Sequence, residues 1–417
     1  MNNNQKLWDT SYEWKAVTLL TLGFGMVGLD RWIIAPLFPS MMRDLNLDYQ
    51  DLGNIIGVLS LAWGICALFT GPLSDRIGRR RVLIPSIIGF SLLAGLSGMA
   101  SGMVSLIVIR VLMGAFEGTY CPTSFAATDE ASHPLRRGRN QGIQQSSFAL
   151  FGMCFAPIIA TQLLNVVPSW RWVFVLNALP GLVIAILLYR VLRNFPNTSL
   201  VPATDPESSS HSSTSVLFAH RNVVLGVLSV MCAMTGIFVL GAMIPSYLVD
   251  HLKLTTEQMG FVTSALGLGG TFGTLVIPTV SDWVGRRWVT VVSFAAAAAF
   301  LLIFSRTGQS MFELFIFLFF TAAFSFGIVA MICGPIAMEA APRGKTATVA
   351  GLIVGTGEIF GGGVATALAG HLAKTHGIAS ALTLAMFGLT LGVIVSIFLK
   401  ETAPRRKQVS EPAGAPV

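Results

Sequence analysis

The sequence predicts an all-α membrane protein in which twelve transmembrane helices form two six-helix bundles. Three observations predict it: the scarcity of charge, a series of long apolar segments, and a motif that occurs once in each half. Only 11% of the 417 residues are charged and 53% are hydrophobic, whereas a soluble domain carries about 25% charged residues. Too few charges are present to build a water-exposed surface, so the expected surroundings are a lipid bilayer.

The apolar segments are long enough to cross a membrane. A helix needs about 20 residues to span a hydrocarbon core roughly 30 Å thick. Hydropathy windows of about 19 residues predict helices at 14–36, 52–72, 82–101, 103–127, 140–165, 171–192, 222–248, 258–280, 288–306, 312–338, 346–372 and 378–399.

The net charge of +7 comes from basic residues that are distributed unevenly among the predicted loops. Most of the 27 Lys and Arg residues fall on the side that holds both termini. The positive-inside rule then predicts cytoplasmic termini in a plasma membrane, in bacteria the inner membrane. The basic balance is therefore explained by topology, and no nucleic-acid partner is expected.

A polar segment divides the chain between the sixth and seventh predicted helices. It contains Pro196, Pro202, Pro206 and a serine-rich run, a composition typical of a flexible connector. The predicted organisation is an N-terminal six-helix bundle at 1–193, a cytoplasmic linker at 194–220, a C-terminal six-helix bundle at 221–400 and a cytoplasmic tail at 401–417.

A short motif follows both the second and the eighth predicted helices. It reads GPLSDRIGRR at 71–80 and PTVSDWVGRR at 278–287. Carboxylates and guanidiniums at helix ends can pair in one conformation and separate in another, which would bias the balance between two states. A plain positively charged anchor is the alternative. The candidate conformational latch consists of Asp75, Arg76, Arg79, Asp282 and Arg286.

Five ionisable residues lie inside predicted membrane helices, where each costs about 2.5 to 3.5 kcal/mol. They are Asp30 and Arg31 in helix 1, Arg110 and Glu117 in helix 4, and Glu358 in helix 11. Two turns of helix separate Arg110 from Glu117, a rise of about 10.5 Å that strains a direct pair. We therefore expect a four-member network in which Asp30 and Arg31 supply the partners. A permanent salt-bridge cluster without a functional role is the alternative.

Such a network can couple protons to an anion. If Asp30 or Glu117 takes up a proton, an arginine loses its compensation and becomes able to bind an anion, so the two uptakes are linked. We interpret Asp30 and Glu117 as proton-coupling residues and Arg31 and Arg110 as substrate-binding residues. Two amides in helix 5, Gln144 and Gln145, are further candidates for substrate binding.

The chain resembles the major facilitator superfamily, whose most specific signature is the Gly-x-x-x-Asp-Arg-x-Gly-Arg-Arg loop, here at 71–80. Asp30-Arg31, together with Arg110, Glu117-Gly118 and Pro122, is similar to the anion:cation symporter family, which includes bacterial sugar-acid carriers. The resemblance implies import of a small organic anion by proton symport through alternating access. We also expect a monomer in the lipid bilayer, with no cofactor and no metal.

Glu358 departs from that family, because a neutral residue, often Asn, is expected at its position in sugar-acid carriers. Glu358 could be a further proton site, a hydrogen-bond acceptor for substrate hydroxyls or a partner for a cationic group. A proton-coupled exporter of drugs or metabolites, with Glu117 and Glu358 recognising cations, is the alternative function. A membrane sensor on the same fold is a third reading. No nucleotide-binding or hydrolase motif is found, so an enzyme is not expected.

Overall fold

A computed structural model describes residues 9–133, 136–193, 221–340 and 346–402. Within these residues the model contains twelve helices long and apolar enough to cross a membrane, which confirms the predicted number. The predicted linker at 194–220 and the tail from residue 403 onward lie outside the described residues, as do the side chains of Asp75 and Arg76.

Six spans, numbered here in chain order, form the first half. Most are single helices, but span 1 is interrupted at Ile33 and span 5 contains a π-helical segment. Their bounds are Thr10–Trp32 with Ile34–Leu45 for span 1, Tyr49–Ile77 for span 2, Arg79–Ser97 for span 3, Met103–Ala131 for span 4, Arg137–Ala149, Leu150–Phe155 and Ala156–Leu164 for span 5, and Trp170–Val191 for span 6.

The second half repeats this arrangement, with π-helical segments in spans 7, 10 and 11. The bounds are Arg221–Ser246 with Tyr247–His251 for span 7, Thr256–Val284 for span 8, Arg286–Arg306 for span 9, Met311–Met331, Ile332–Ile336 and Ala337–Ala340 for span 10, Thr346–Gly357, Glu358–Val364 and Ala365–His376 for span 11, and Ala379–Ile397 for span 12.

Span 1 extends further than its predicted end at residue 36. Pro36 has no N–H to donate to the carbonyl of Trp32, so the first helix ends at that point. A second helix begins at Ile34, which places Pro36 in a first turn where the missing donor costs little. This helix continues to Leu45 and ends where Asn46 adopts a left-handed φ of 52°.

The repeated motif contains a glycine that ends spans 2 and 8 in the same way. Gly78 has φ of 95° and Gly285 has φ of 112°, values that a residue with a Cβ rarely adopts. The amide of Gly78 donates to the carbonyl of Ser74, and that of Gly285 donates to the carbonyl of Ser281, both at 3.0 Å. The glycine lets the chain turn sharply and begin the next span at Arg79 or Arg286.

The two halves pack closely through glycines along spans 2, 5, 8 and 11. A Cβ built on Gly53 would lie 2.6 Å from the carbonyl oxygen of Thr366, and one on Gly267 would lie 2.0 Å from the backbone nitrogen of Cys154. Small residues allow helix backbones to approach in this way. Span 2 thus lies against span 11, and span 5 lies against span 8.

Polar contacts join the halves at one face of the bundle, which we call the closed face. Lys374 Nζ lies 2.7 Å from Asp48 Oδ2, and Tyr49 donates to Asp250 at 3.0 Å. The amide of Asn165 donates to the Glu257 carboxylate at 3.0 Å. The motif arginines lie at the opposite end of the spans, which we call the basic face.

Candidate functional site

All five ionisable residues predicted inside the spans are buried. Asp30, Arg31 and Arg110 are each 1% exposed, Glu117 is fully buried and Glu358 is 7% exposed. Spans 1 and 4 of the first half and span 11 of the second half supply them. We call these residues the ionic cluster.

Arg31 forms an ion pair across the interface between the halves. Its Nη2 donates to Glu358 Oε2 at 2.8 Å and to Ser60 Oγ at 2.6 Å. The guanidinium lies 4.6 Å from the ring centroid of Phe238. The expectation that the four charges of the first half would satisfy one another was therefore wrong for Arg31, because span 11 brings a carboxylate closer.

Asp30 and Arg110 contact each other through the backbone. Arg110 Nη1 donates to the carbonyl oxygen of Asp30 at 3.2 Å, while the Asp30 carboxylate accepts from Asn177 Nδ2 at 2.5 Å. Within the described residues, Arg110 Nε, Arg110 Nη2 and Asp30 Oδ2 have no hydrogen-bond partner. Arg110 thus keeps two buried donors free beside the Arg31 ion pair.

Glu117 has no hydrogen-bond partner for either carboxylate oxygen among the residues that the structure describes. The charges of Arg31, Arg110 and Glu358 act on it. A buried carboxylate without a partner is costly when ionised, and such groups are rare enough to need an explanation. Protonation of Glu117 would remove the buried charge, and a ligand that donates a hydrogen bond would supply the missing partner.

The two predicted amides occupy different environments. Gln144 is buried and donates through Nε2 to Ser124 Oγ at 3.0 Å, whereas its Oε1 has no partner in the described part of the chain. Gln145 is exposed. Consecutive residues of a helix point about 100° apart, so the structure places Gln144 in the interior and Gln145 outside it.

Glu358 begins a π-helical segment, Glu358–Val364. Such segments widen a helix by one residue and are frequent at functional sites. Three glycines follow in this segment, and a Cβ on Gly362 would lie 2.8 Å from Ser60 Oγ. The local backbone therefore brings span 11 against span 2, next to the Ser60 hydroxyl that Arg31 contacts.

Sequence reasoning missed several residues that contact the ionic cluster. Asn177 binds the Asp30 carboxylate, Ser60 binds Arg31, and Phe238 lies against the Arg31 guanidinium. An amide in the middle of an apolar span is costly enough to be a signal, so Asn177 could have been found. Ser60 and Phe238 give no such signal, because small hydroxyls and single aromatics are common in membrane helices.

The motif residues with described side chains form matching contacts in both halves. Arg79 donates to Ser74 Oγ at 2.5 Å and to Glu130 at 3.0 Å. Arg286 donates to Ser281 Oγ at 2.5 Å, and pairs with Glu339 at 3.1 Å and with Asp282 at 2.6 Å. These contacts stay within one half. The two acidic partners, Glu130 and Glu339, were not predicted.

A bundle of twelve apolar spans in two similar halves, with opposed charges buried between them, defines a membrane transporter. The chain belongs to the Major Facilitator Superfamily, whose family model matches residues 20–359 and 226–417. It is an integral membrane protein and not an enzyme.

Relatives and solved structures agree with this assignment. The chain is 28% identical over 263 residues to the hexuronate transporter of Bacillus subtilis, covering 62% of each protein. It is 26% identical over 392 residues to the probable 4-methylmuconolactone transporter of Cupriavidus pinatubonensis, covering 91% of this chain and 89% of that protein. The crystal structure of a D-xylose-proton symporter aligns with a TM-score of 0.78 at 20% identity, covering 94% of this chain and 99% of that one.

Proposed function

We propose that this protein is a secondary active transporter that imports a small organic anion, a carboxylate, by proton symport through alternating access. The proposal places both termini in the cytoplasm and the protein in the plasma membrane, in bacteria the inner membrane. The observation that carries it is the ionic cluster, in which two buried arginines lie near three carboxylates and keep donors without a partner among the described residues.

The arginines are suited to hold a carboxylate. Arginine presents donors in a planar fork that matches two carboxylate oxygens, and such charge-assisted bonds are strong when water is excluded. Arg110 has free Nε and Nη2 donors, and Arg31 has a free Nε donor, within the described residues. The hexuronate transporter among the relatives is named for an anion of this type, which supports the substrate class.

Protons enter the proposal through Asp30 and Glu117. Binding an anion beside ionised carboxylates is unfavourable, so the anion favours the protonated forms and protons favour the anion, by the same factor. Glu117 is the stronger candidate because both of its oxygens lack a partner in the described part of the chain. Asp30 is held by Asn177 through one oxygen only.

Alternating access would use the two faces of the bundle. The closed face is held by contacts between the halves, such as the one between Lys374 and Asp48. At the basic face, Arg79 and Arg286 bond within their own halves. We infer that the two halves separate at the closed face in another state of the transport cycle, and that the motif arginines change partners when they do.

The experiment is uptake of radiolabelled D-galacturonate into proteoliposomes with an imposed inward proton gradient. Arg110→Ala is expected to reduce uptake to background while leaving the amount of folded protein unchanged. Arg306→Ala, at the end of span 9, is the matched control because Arg306 is exposed and lies outside the ionic cluster. Uptake by Arg110→Ala at the wild-type rate would contradict the proposal.

The alternative function, proton-coupled export of cationic drugs or metabolites, requires free carboxylates. Glu358 is already paired with Arg31, so the cluster offers a cation less than it offers an anion. The direction of proton movement on adding substrate to proteoliposomes separates the two functions. Symport moves protons with the substrate, whereas an exporter moves them against it.

A further inference from the structure

We propose that the Glu358 carboxylate is an intramolecular competitor of the transported anion: it occupies Arg31 in the empty protein and gives up that position to the substrate carboxylate. This inference rests on the proposed function, because it assumes that Arg31 binds the anion. It assigns Glu358 a role that differs from a direct contact with substrate.

The geometry of the pair is that of a replaceable ligand. The structure shows one hydrogen bond between the two side chains, from Arg31 Nη2 to Glu358 Oε2 at 2.8 Å. Arg31 Nε remains without a partner within the described residues. A substrate carboxylate that engaged both Nε and Nη2 would form the two parallel bonds typical of strong arginine recognition. The substrate can therefore bind Arg31 better than Glu358 does.

The pair also joins parts of the protein that must move relative to each other. Arg31 lies on span 1 of the first half, and Glu358 lies 327 positions away on span 11 of the second half. An uncompensated charge inside a membrane is costly. With Glu358 on Arg31, the empty protein keeps that charge compensated, so it can return to the other face without substrate. Glu358 thus allows net transport and not only exchange.

Glu358 lies among further charged and titratable groups. They are Arg31 from span 1, Glu117 and Cys121 from span 4, and Cys333 from span 10. A substrate carboxylate that approaches Arg31 is attracted by the guanidinium and repelled by the Glu358 carboxylate beside it. The two carboxylates therefore compete for the same donors.

The sign of one measurement distinguishes this role from the alternatives. If Glu358 bound a substrate hydroxyl, removal of its charge would weaken binding. If Glu358 only packed the helices, binding would change little and in the same way at every pH. A competitor gives the opposite sign, because its removal strengthens binding.

The test measures the affinity of purified full-length protein for D-galacturonate at pH 5 and pH 8 by isothermal titration calorimetry. Wild-type affinity is expected to fall with rising pH, because proton binding in the ionic cluster favours the anion. Glu358→Gln is expected to bind at least about tenfold more tightly than the wild type at pH 8, because the neutral amide competes less well than a carboxylate for Arg31. Glu313→Gln, an exposed acid at the start of span 10, is the matched control and should behave as the wild type.

Equal or weaker binding by Glu358→Gln at pH 8 would overturn the competitor role and leave the proposed function intact. Failure of the wild-type protein to bind D-galacturonate or any other carboxylate at either pH would overturn the proposed function, and this inference with it. If Glu358→Gln does not fold, Glu358→Asn removes the same charge with a shorter amide and is held to the same outcomes.

Transport provides a second measurement, whose result would not change if Glu358 only packed the helices. In proteoliposomes, Glu358→Gln is expected to retain exchange of internal for external D-galacturonate. It should lose proton-driven accumulation by about tenfold or more, because the empty protein then carries an uncompensated Arg31. Accumulation at the wild-type level would contradict the role of Glu358 in the return of the empty protein.

Discussion

Arg31 and Glu358 form a buried ion pair of 2.8 Å that connects span 1 of the first half to span 11 of the second. Both side chains are almost fully enclosed, with 1% and 9% of their surfaces exposed. A buried ion pair is weak evidence for stability, since its desolvation cost is comparable to its Coulomb energy. Its position between the two halves, which separate in the proposed transport cycle, is better explained by function.

Removal of one member of the pair is expected to destabilise the protein more than removal of both. Arg31→Met alone leaves the Glu358 charge buried, at a cost of about 3 to 5 kcal/mol. The double variant with Glu358→Met leaves neither charge and should recover most of this loss. Thermal melting of the two single variants and the double variant in detergent measures the coupling. If the losses simply add, the ion pair does not exist in solution.

A second buried carboxylate, Glu13, is expected to stabilise the first half without affecting substrate binding. It is fully buried in span 1, accepts from Arg136 at 2.6 Å and accepts from Asn140 at 2.9 Å. Glu13→Ala leaves the Arg136 and Asn140 donors without this acceptor, which costs about 1 to 3 kcal/mol. A lower melting temperature with unchanged D-galacturonate affinity is the expected result. A change in affinity would show that Glu13 belongs to the transport mechanism.

The number of spans and the identity of the buried charges could be predicted from the sequence. Both depend on local properties: a run of apolar residues is long enough or not, and an ionisable residue inside it is costly wherever it points. The repeated motif likewise predicted two similar halves. Its glycines and arginines do occupy matching positions, as Gly78 and Gly285 show.

The pairing within the ionic cluster could not be predicted in the same way. Arg31 and Glu358 are 327 positions apart, and their contact depends on how the halves pack. The π-helical segment that begins at Glu358 has no clear sequence signal beyond its glycines. The prediction assigned both arginines partners in the first half. This agrees with the contact of Arg110 with Asp30 but not with the contact of Arg31 with Glu358.

The contact between Asp48 and Lys374 is expected to hold the closed face at every pH in the physiological range. Burial alone would raise the pKa of Asp48, but hydrogen bonds from Lys374 and from the backbone amide of Asp51 outweigh it and lower the pKa below 3.8. A lowered pKa means that the contact stabilises closure above pH 3.8 and is lost only as the pH falls further. Spin-label distances between spans 2 and 11 at this face should therefore not change from pH 8 to pH 5.

Asp48→Asn removes the charge at every pH and tests the same contact. A larger fraction of molecules than in the wild type should show the longer spin-label distance. The increase in this fraction is modest because the ion pair is partly exposed, and such pairs contribute about 1 kcal/mol or less. A distance that lengthens between pH 8 and pH 5 in the wild type would show that another group controls closure.

Gly267 is expected to be required for the closed face to form. A Cβ at this position would lie 2.0 Å from the backbone nitrogen of Cys154 in span 5, and a backbone atom cannot move aside as a flexible side chain can. Gly267→Ala should therefore force spans 5 and 8 apart and favour the conformation that is open at this face. Spin-label distances across the face should shift to longer values, and D-galacturonate exchange should slow.

Gly142→Ala is the matched control for that substitution. Gly142 also lies within a helix, but no heavy atom comes within 4 Å of a Cβ built there. The same methyl group then meets open space, and alanine favours the helix by up to about 1 kcal/mol over glycine. Unchanged distances and exchange are expected. If Gly267→Ala closed as readily as Gly142→Ala, the close approach of spans 5 and 8 would not be what brings the halves together.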